Sequence, residues 1–363
     1  MSLRHIHLAV ALGGAVAANE RFGARFWLDQ VQRAEAGLLD FVTIEDGFSG
    51  PDRLDASLIA ARVAPTTSHI GIVPTVTTTH TEPFHVSKTI ATLDYASTGR
   101  AGWHARIGAP TAEAPLFGRR ESAELQLDSV LAEAADHVEV VRRLWDSWED
   151  DAEIRDAATG RFIDREKLNY IDFVGARFSV RGPSITPRPP QGQPLVIAGA
   201  HAPIEHAFAA RSADIALVAP HVVDEIPGVV REIRAAQAEA GRGDDRLLIF
   251  GDLAVFLDDD PAAAIARKER LDDAAGTPER LNIPVFVGSP SALADQLASW
   301  AEAGLDGFRL RPGTVQHDLA AVTDGLVSEL QTRGLFRRSY EADTLRGLLG
   351  FERPANRYAT AAA

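Results

Sequence analysis

Apolar and polar positions follow two alternating periods along this chain. Short apolar runs rich in β-branched residues predict eight buried strands, at residues 5–12, 40–46, 70–78, 100–108, 195–200, 214–220, 247–257 and 307–312. Helical periodicity fills most of the intervals, as at residues 21–36, 84–96, 125–145 and 223–240. This order is typical of an α/β protein with a parallel sheet, and eight such units predict a TIM (β/α)8 barrel. A doubly wound sheet is the alternative, although no GxGxxG motif follows the first strand.

The periodicity stops between residues 148 and 194, after the helical pattern that follows the fourth predicted strand. This interval ends in GPSITPRPPQGQP, which is dense in proline and glycine. A long stretch without a regular pattern inside a compact domain is typical of a functional loop or a lid. We therefore predict a single barrel domain over residues 1–346, with an insertion or lid at 148–194 after strand four. The remaining residues, 347–363, lack apolar periodicity and predict a frayed tail.

Charge and composition narrow the possible partners. The chain has 37 Lys and Arg against 51 Asp and Glu, a net charge of −14, and such a field repels nucleic-acid phosphates and anionic membrane surfaces. No apolar run approaches the roughly 18 residues of a membrane-spanning helix. The absence of cysteine excludes thiolate nucleophiles and thiolate metal sites. The apolar N-terminal run fits a first buried strand better than a secretory signal, so we expect a cytoplasmic protein with neither nucleic-acid nor membrane partners.

Candidate chemistry in a TIM barrel lies at the carboxyl ends of the strands. The predicted strand ends place these polar side chains there: Glu45, Asp46, Thr77, His80, His104 and Arg106. His104 and Arg106 are two residues apart in one strand and therefore share a face. An arginine that points into a barrel needs an anion or a carboxylate partner, so the pair predicts a ligand site or a buried ion pair, unless both side chains point into solvent.

The loop after the fifth predicted strand reads AGAHAP and contains Ala200 and His201. Small residues that lead into a helix leave backbone N–H groups available to an anion. Simpler explanations compete at other positions, because Asp46 can close the turn before Gly47 and Thr77 suits a strand by its β-propensity. The sequence has no HExxH, GxSxG or Walker motif, so zinc-protease, triad-hydrolase and P-loop chemistry have no support.

One long stretch, IGIVPTVTTTHTEPFHVSKTIATLDYASTGRAGWHARIG at residues 70–108, resembles the third and fourth βα units of the bacterial luciferase-like flavin-dependent monooxygenases. VGSPSALADQLASWAEAGLDGFRL is similar to the closing units of that family. The segments LWDSWEDDA and RGPSITPRPPQGQP resemble the insertion of the nitrilotriacetate monooxygenase component A subgroup, which includes dibenzothiophene-sulfone and EDTA monooxygenases. The resemblance covers residues 5–335, nearly the whole chain.

This resemblance implies a two-component monooxygenase. A separate flavin reductase supplies reduced FMN, which binds at the carboxyl-terminal mouth of the barrel, and one oxygen atom of O2 enters a small organic substrate. The insertion at residues 148–194 then acts as the lid. The family also implies a homo-oligomer. The identity of the substrate is not contained in the sequence, because loops build the pocket.

The resemblance also assigns roles at single positions of the mouth. Asp46 and Thr77 stand where the family has contacts to the flavin ring. His104 stands where the family has an asparagine, and His80 stands where an aromatic residue is common. His80 and His104 are the catalytic candidates, because an imidazole at the reacting centre can donate or accept a proton near neutral pH.

The phosphate end of the cofactor site departs from the family. Ala200 and His201 replace serines that are expected at the FMN phosphate. One interpretation is that Arg106, with His104 and His201, forms a re-engineered phosphate site that uses charge-assisted hydrogen bonds. The other is a divergent member that takes another flavin, a deazaflavin or no cofactor. In the last case the chain is an accessory subunit of a luciferase-like heteromer.

Overall fold

A closed barrel of eight parallel strands forms the centre of the computed structural model, which describes residues 5–13, 22–49, 53–108, 110–118, 126–275 and 283–359. The strands in this part of the chain are β1 (His7–Leu12), β2 (Phe41–Ile44), β3 (Gly71–Thr77), β4 (Gly102–Arg106), β5 (Glu153–Asp156), β6 (Arg161–Ile163), β7 (Phe173–Val174), β8 (Ser179–Val180), β9 (Leu195–Gly199), β10 (Ile215–Val218), β11 (Leu248–Leu257), β12 (Val285–Gly288) and β13 (Gly307–Pro312). The barrel runs β1-β2-β3-β4-β9-β10-β11-β13, and β13 pairs with β1 to close it. The predicted TIM barrel is confirmed.

All eight predicted strands are barrel strands, and β12 is an addition. It pairs with the second half of β11, from Ala254 to Leu257, beyond the residues that pair with β10, which end at Gly251. Its apolar run, Val285–Val287, is short and directly follows Pro284, and a proline beside so short a run weakens it as a strand candidate. Three of the four residues of β12 are partly or fully exposed.

Helices surround the barrel. In the described residues they are α1 (Ala24–Ala36), α2 (Ala56–Val63), α3 (Pro83–Ala96), α4 (Pro110–Phe117), α5 (Leu127–Asp146), α6 (Pro203–Ser212), α7 (Ile226–Glu239), α8 (Pro261–Ala275), α9 (Pro290–Glu302), α10 (Val315–Ala320), α11 (Val327–Thr332) and α12 (Leu345–Leu348). Local chemistry sets several of their starts: Asp55 caps α2, and Ser289 accepts from the Ala292 N–H before Pro290 in α9. None of the described helices has the length and apolar character needed to cross a membrane.

The barrel interior changes character along its axis. Its amino-terminal half is apolar, with Phe41, Val73, Ile197 and Phe250 packed against Leu345 of α12, which closes this end. A Cβ on Gly71 would stand 2.5 Å from the Leu345 side chain, so only glycine lets α12 approach this closely. The carboxyl-terminal half is polar. The site described below lies in that half.

The insertion at residues 148–194 is partly regular, with two short hairpins, β5–β6 and β7–β8. The second hairpin packs along α5, because Phe178 contacts the His137 ring and Arg143 lies over Phe173. Trp148 Nε1 donates to the Ser184 carbonyl and joins the two ends of the segment. These described contacts place it beside α5. The role of the segment as a lid stays a prediction.

The C-terminal residues are packed as far as the structure describes them. Arg346 donates to the carbonyls of Gln193 and Glu352. Asn356 is buried and donates to the carbonyls of Asp146 and Trp148 at 2.8 Å. The prediction of a frayed tail is therefore wrong for residues 347–359, because polar contacts to backbone groups hold this segment without apolar periodicity. The last four residues, 360–363, lie outside the described part.

Replacement of Asn356 by alanine is expected to lower the free energy of unfolding by about 2 kcal/mol, because buried carbonyls of Asp146 and Trp148 lose their donors. Urea denaturation of the full chain measures this loss. Asn169→Ala is the matched control, since Asn169 is only partly buried and donates to the Glu149 side chain at 3.3 Å. An equal loss in the two variants would contradict the packed tail.

Candidate active site

A charged cluster occupies the carboxyl-terminal half of the barrel interior, centred on Asp252 of β11. Asp252 accepts paired hydrogen bonds from Arg309, at 3.1 and 2.7 Å, and from Arg311, at 3.1 and 2.8 Å. His201 Nε2 lies 3.1 Å from Asp252 Oδ2. Asp252 and Arg309 are fully buried, and mutual pairing is what makes such burial of charge possible.

Glu45, which follows β2, closes the cluster on another side. Its Oε1 lies 3.1 Å from Arg309 Nη1 and accepts from Thr43 Oγ1 at 3.1 Å. Burial would raise the pKa of Glu45, but Arg309 and Arg311 outweigh this effect and hold the pKa at about 2. Burial likewise acts to raise the pKa of Asp252, and the same two guanidinium groups hold it well below its ordinary value. Two arginines and two ionised carboxylates therefore balance within the cluster.

His104 of β4 borders this cluster. Its Nδ1 lies 3.1 Å from Thr75 Oγ1 and 4.0 Å from Glu45 Oε1. Burial, together with the nearby Arg309, lowers the pKa of His104 to about 3, so the imidazole is neutral at physiological pH. A pKa this low argues against the predicted role as a proton donor near neutral pH. Hydrogen bonding as a neutral imidazole is what the geometry allows.

Arg106, at the end of β4, has the carboxylate partner that its position required. Its Nη1 lies 2.9 Å from Glu113 Oε1 and donates to Thr77 Oγ1, also at 2.9 Å. Glu113 Oε1 also accepts from the Phe48 N–H and from Ser49 Oγ. Of the alternatives left by the sequence, the structure therefore shows an ion pair, in which Glu113 is buried and the Arg106 side chain is 27% exposed. Thr77 binds this arginine through its hydroxyl as well as lying in β3.

Asp46 shapes the loop between β2 and α2. Its Oδ1 accepts from the Gly47 N–H at 2.7 Å, and its Oδ2 accepts from the Ala56 N–H at 2.9 Å. Burial raises the pKa of Asp46 above its ordinary value, against the two hydrogen bonds. The simpler explanation from sequence, a turn-closing aspartate, therefore holds. A contact with the flavin ring stays a prediction for this residue.

The AGAHAP loop between β9 and α6 does not leave its N–H groups available. The backbone N–H groups of His201 and Ala202 both donate to Glu205 Oε2, at 2.8 and 3.2 Å. The expectation that this loop offers unoccupied donors to an anion is therefore wrong, because the carboxylate of the first turn of α6 caps the helix from within. Ala200 is buried beside this capped end.

His80 lies apart from the charged cluster, in an aromatic group beside α4. Its ring stacks on Phe117 at 4.5 Å between centroids, and Phe48 meets Phe117 edge to face at 4.8 Å. Phe48 also donates its N–H to Glu113, the partner of Arg106. The predicted residues therefore fall into two groups. Asp46, Thr77, His80 and Arg106 surround Phe48 and Glu113, and His104 and His201 border Asp252 and Glu45.

Four charged residues of the mouth were not among the sequence candidates: Glu113, Asp252, Arg309 and Arg311. Arg309 and Arg311 are two residues apart in β13, so the alternation that grouped His104 with Arg106 also puts these arginines on one face. That signal was present in the sequence. Asp252 lies opposite Arg309 in the β11–β13 register, a pairing that becomes visible only once the barrel closes.

Comparison with known proteins identifies the family. Residues 4–275 match the family described as luciferase-like monooxygenase. The chain is 31% identical to N-acetyl-S-(2-succino)cysteine monooxygenase of Bacillus subtilis (strain 168), over 92% of this chain and 91% of that protein. It is 28% identical to nitrilotriacetate monooxygenase component A of Aminobacter aminovorans, over 92% and 91%. The crystal structure of long-chain alkane monooxygenase has the same fold, with a TM-score of 0.86 at 22% identity and 96% of each chain covered.

The match defines the class of protein: a TIM-barrel enzyme whose polar site lies at the carboxyl ends of its strands. This chain belongs to the luciferase-like monooxygenase family. The predictions of the family, of its resemblance to nitrilotriacetate monooxygenase component A and of a monooxygenase are confirmed.

The family resemblance implies FMN at the mouth, and only one end of the mouth fits its phosphate. Arg106 holds one oxygen of Glu113, and the other oxygen, Oε2, is buried without a hydrogen-bond partner in the described part of the chain. Arg106 therefore already binds a carboxylate oxygen of Glu113. A phosphate oxygen fits the same position, because it accepts the same charge-assisted hydrogen bond. At α6 the N–H groups are bound to Glu205 instead. The Arg106 end fits a phosphate, and the end formed by Ala200 and His201 does not.

Proposed function

We propose that this protein is the oxygenase of a two-component flavin system. It takes reduced FMN from a separate reductase and inserts one oxygen atom of O2 into a small organic substrate. The family match over residues 4–275 carries this proposal. The names of the two relatives, monooxygenases of N-acetyl-S-(2-succino)cysteine and of nitrilotriacetate, support a small organic substrate. A polar mouth at the carboxyl ends of the strands is where barrel enzymes bind their ligands.

Three residues would hold the cofactor at the Glu113 side of the mouth. Reduced flavin supplies the electrons that activate O2 when it is bound. Asp46 and Thr77 are the proposed neighbours of the ring, and Arg106 is the proposed partner of the phosphate. Thr77 Oγ1 accepts from Arg106 at 2.9 Å and so fixes the guanidinium group, which stays in place when Glu113 is exchanged for another anion.

His201 is the best placed proton acceptor of the mouth. Its Nε2 faces the ionised Asp252 at 3.1 Å, an arrangement that keeps the proton on Nε2 and leaves the lone pair on Nδ1. The His201 side chain is 25% exposed, so a substrate can reach it, whereas His104 is buried. His80 is the second proposed acid–base residue, at the aromatic side of the mouth. His104 contributes a neutral imidazole.

An anaerobic titration with reduced FMN tests the proposal. We expect binding by the full chain at tens of micromolar or tighter, followed by flavin fluorescence or calorimetry. Arg106→Ala should weaken it about 10- to 100-fold, because a charge-assisted hydrogen bond to phosphate contributes about 1.5–3 kcal/mol. Glu113→Gln should strengthen it, since Arg106 then loses its competing carboxylate. Arg25→Ala, on the exposed face of α1, is the control.

The outcomes separate the alternatives. Failure to bind any reduced flavin or deazaflavin would exclude the oxygenase and favour an accessory subunit of a luciferase-like heteromer. Binding of a reduced deazaflavin without reduced FMN would favour a deazaflavin-dependent oxidoreductase. Flavin binding that Arg106→Ala leaves unchanged would remove only the phosphate assignment. A homo-oligomer and a cytoplasmic location stay predictions of the family resemblance and of the sequence.

A further inference from the structure

A cleft of about 800 Å3 lies at the amino-terminal end of the barrel, away from the mouth. Three residues that line it lie one or two positions before barrel strands: Gln193 before β9, Asp214 before β10 and Arg246 before β11. The C-terminal segment from Gly350 to Arg357 and the end of α5 form its other walls. In a parallel barrel these positions are opposite to the strand ends that carry Arg106 and His201. The cleft is therefore separate from the proposed flavin site.

The cleft is positively charged in a negatively charged protein. Among the described residues, seven arginines and five acidic residues line it, whereas the whole chain has 37 basic and 51 acidic residues. Five of these arginines form salt bridges with carboxylates: Arg142, Arg211, Arg242, Arg353 and Arg357. Arg246 and Arg346 form none with any described residue. These two are the arginines of the cleft that have no carboxylate partner in the described part of the chain.

Arg346 is a buried cation that forms no salt bridge with a described residue. Arg346 lines the cleft, and the residue as a whole is only 8% exposed. Nε donates to the Glu352 carbonyl and Nη1 to the Gln193 carbonyl, and Nη2 donates to no described residue. The nearby Asp214 is already bound to Arg142 at 2.8 Å. Burial lowers the pKa of Arg346, and this effect outweighs the attraction of the nearby Asp214.

Arg246 and Arg346 both make cation–π contacts with the ring of Phe351. The guanidinium carbons lie 5.4 and 5.3 Å from the centroid of Phe351. Cation–π contact with Phe351 holds both guanidinium groups without neutralising them. Arg246 is itself exposed, so a ligand can approach it from solvent. A molecule in the cleft therefore meets two oriented groups that each present a fork of N–H donors.

We propose that this cleft binds a small phosphorylated molecule, with its phosphate held by Arg246 and Arg346 beside Phe351. A guanidinium fork matches the oxygens of a phosphate in geometry and charge. The volume of the cleft exceeds that of a phosphate ion, and so leaves space for the organic part of the ester. The site is distinct from the mouth, and it does not depend on the flavin chemistry proposed above.

Calorimetric titration of the full chain with inorganic phosphate tests this site, with chloride at equal ionic strength as the blank. We expect saturable binding with a Kd of about 1 mM or tighter. Arg246→Gln should weaken it at least about tenfold. Because Arg246 is exposed and pairs with no carboxylate, the variant should fold normally, which thermal unfolding without phosphate verifies.

An Arg106→Gln background and one control variant locate the bound phosphate. The titrations are repeated in the Arg106→Gln background, so that the phosphate partner proposed for the mouth does not contribute. Arg338→Gln, exposed and bonded to the Gln331 carbonyl, should leave phosphate binding unchanged. Equal binding with and without Arg246→Gln in that background, an equal loss in Arg338→Gln, or no phosphate binding at all would each overturn the proposal. Loss confined to Arg246→Gln would establish it.

Discussion

Replacement of Asp252 by alanine is expected to lower the free energy of unfolding by about 3–5 kcal/mol, because Arg309 and Arg311 then share Glu45 as their carboxylate partner and one positive charge is uncompensated. Asp252 receives four of its hydrogen bonds from these two guanidinium groups and lies within 3.1 Å of His201. Arg309 is fully buried, so solvent does not offset the extra charge. Urea denaturation at neutral pH measures the loss.

Two variants distinguish the burial of charge from the loss of any ion pair. Asp295→Ala breaks the surface pair with Arg333, in which the Asp295 side chain is 75% exposed, and should cost about 1 kcal/mol or less. Asp252→Leu combined with Arg311→Met removes one charge of each sign, leaves Arg309 paired with Glu45, and should recover part of the stability that Asp252→Ala loses. A loss in Asp252→Ala no larger than in Asp295→Ala would refute this account.

The barrel could be predicted because its strands are buried on both faces. Strands such as β1 and β10 then read as continuous apolar runs, which a sequence displays directly. The prediction misses β12 because its apolar run, Val285–Val287, is short and directly follows Pro284. It misses the packed tail because Arg346 and Asn356 bind backbone carbonyls rather than pack in an apolar stripe.

The site could be predicted only in part, because its pairs are formed between strands that are distant in sequence. Position at a strand end selected His104, Arg106 and His201, and these residues do lie at the mouth. Arg309 of β13 binds Glu45, which follows β2 and lies 264 residues earlier in the chain. No local sequence pattern can therefore show that contact. Which carboxylate meets which arginine depends on strand register, and register requires the closed barrel.

The arginines of the mouth do not form a patch of unpaired positive charge. In a protein of net charge −14, binding of a flavin phosphate requires positive charge to be concentrated locally. The structure pairs each arginine of the mouth with a carboxylate: Arg106 with Glu113, and Arg309 and Arg311 with Asp252. A ligand phosphate must therefore compete with Glu113. Unpaired guanidinium groups occur at the other end of the barrel, in the cleft beside Phe351.

Stability is expected to fall steeply in mild acid because two histidines are buried as neutral groups. Burial lowers the pKa of His104 and of His137 to about 3, from an ordinary value of 6.5. Above pH 6.5 both states of the chain carry neutral imidazoles, so these residues give no pH dependence. Between pH 6.5 and about pH 3, each of these histidines is protonated in the unfolded chain and neutral in the folded chain. Stability is therefore lost as the pH falls, by about 1.4 kcal/mol per pH unit for each histidine.

Denaturation by urea between pH 8 and pH 4.5 measures the slope, to which the two histidines together contribute about 2.7 kcal/mol per pH unit. Below about pH 6 the buried Asp94, whose pKa burial raises to about 6, contributes about 1.4 kcal/mol per pH unit with the opposite sign. His137→Phe should lower the slope by about 1.4 kcal/mol per pH unit, because His137 contacts the rings of Trp103 and Phe178, and its buried Nε2 has no hydrogen-bond partner among the described residues. His221→Phe, at an exposed position, is the control and should keep the full slope. An unchanged slope in His137→Phe would show that His137 is protonated in the folded chain, and would contradict its burial as a neutral group.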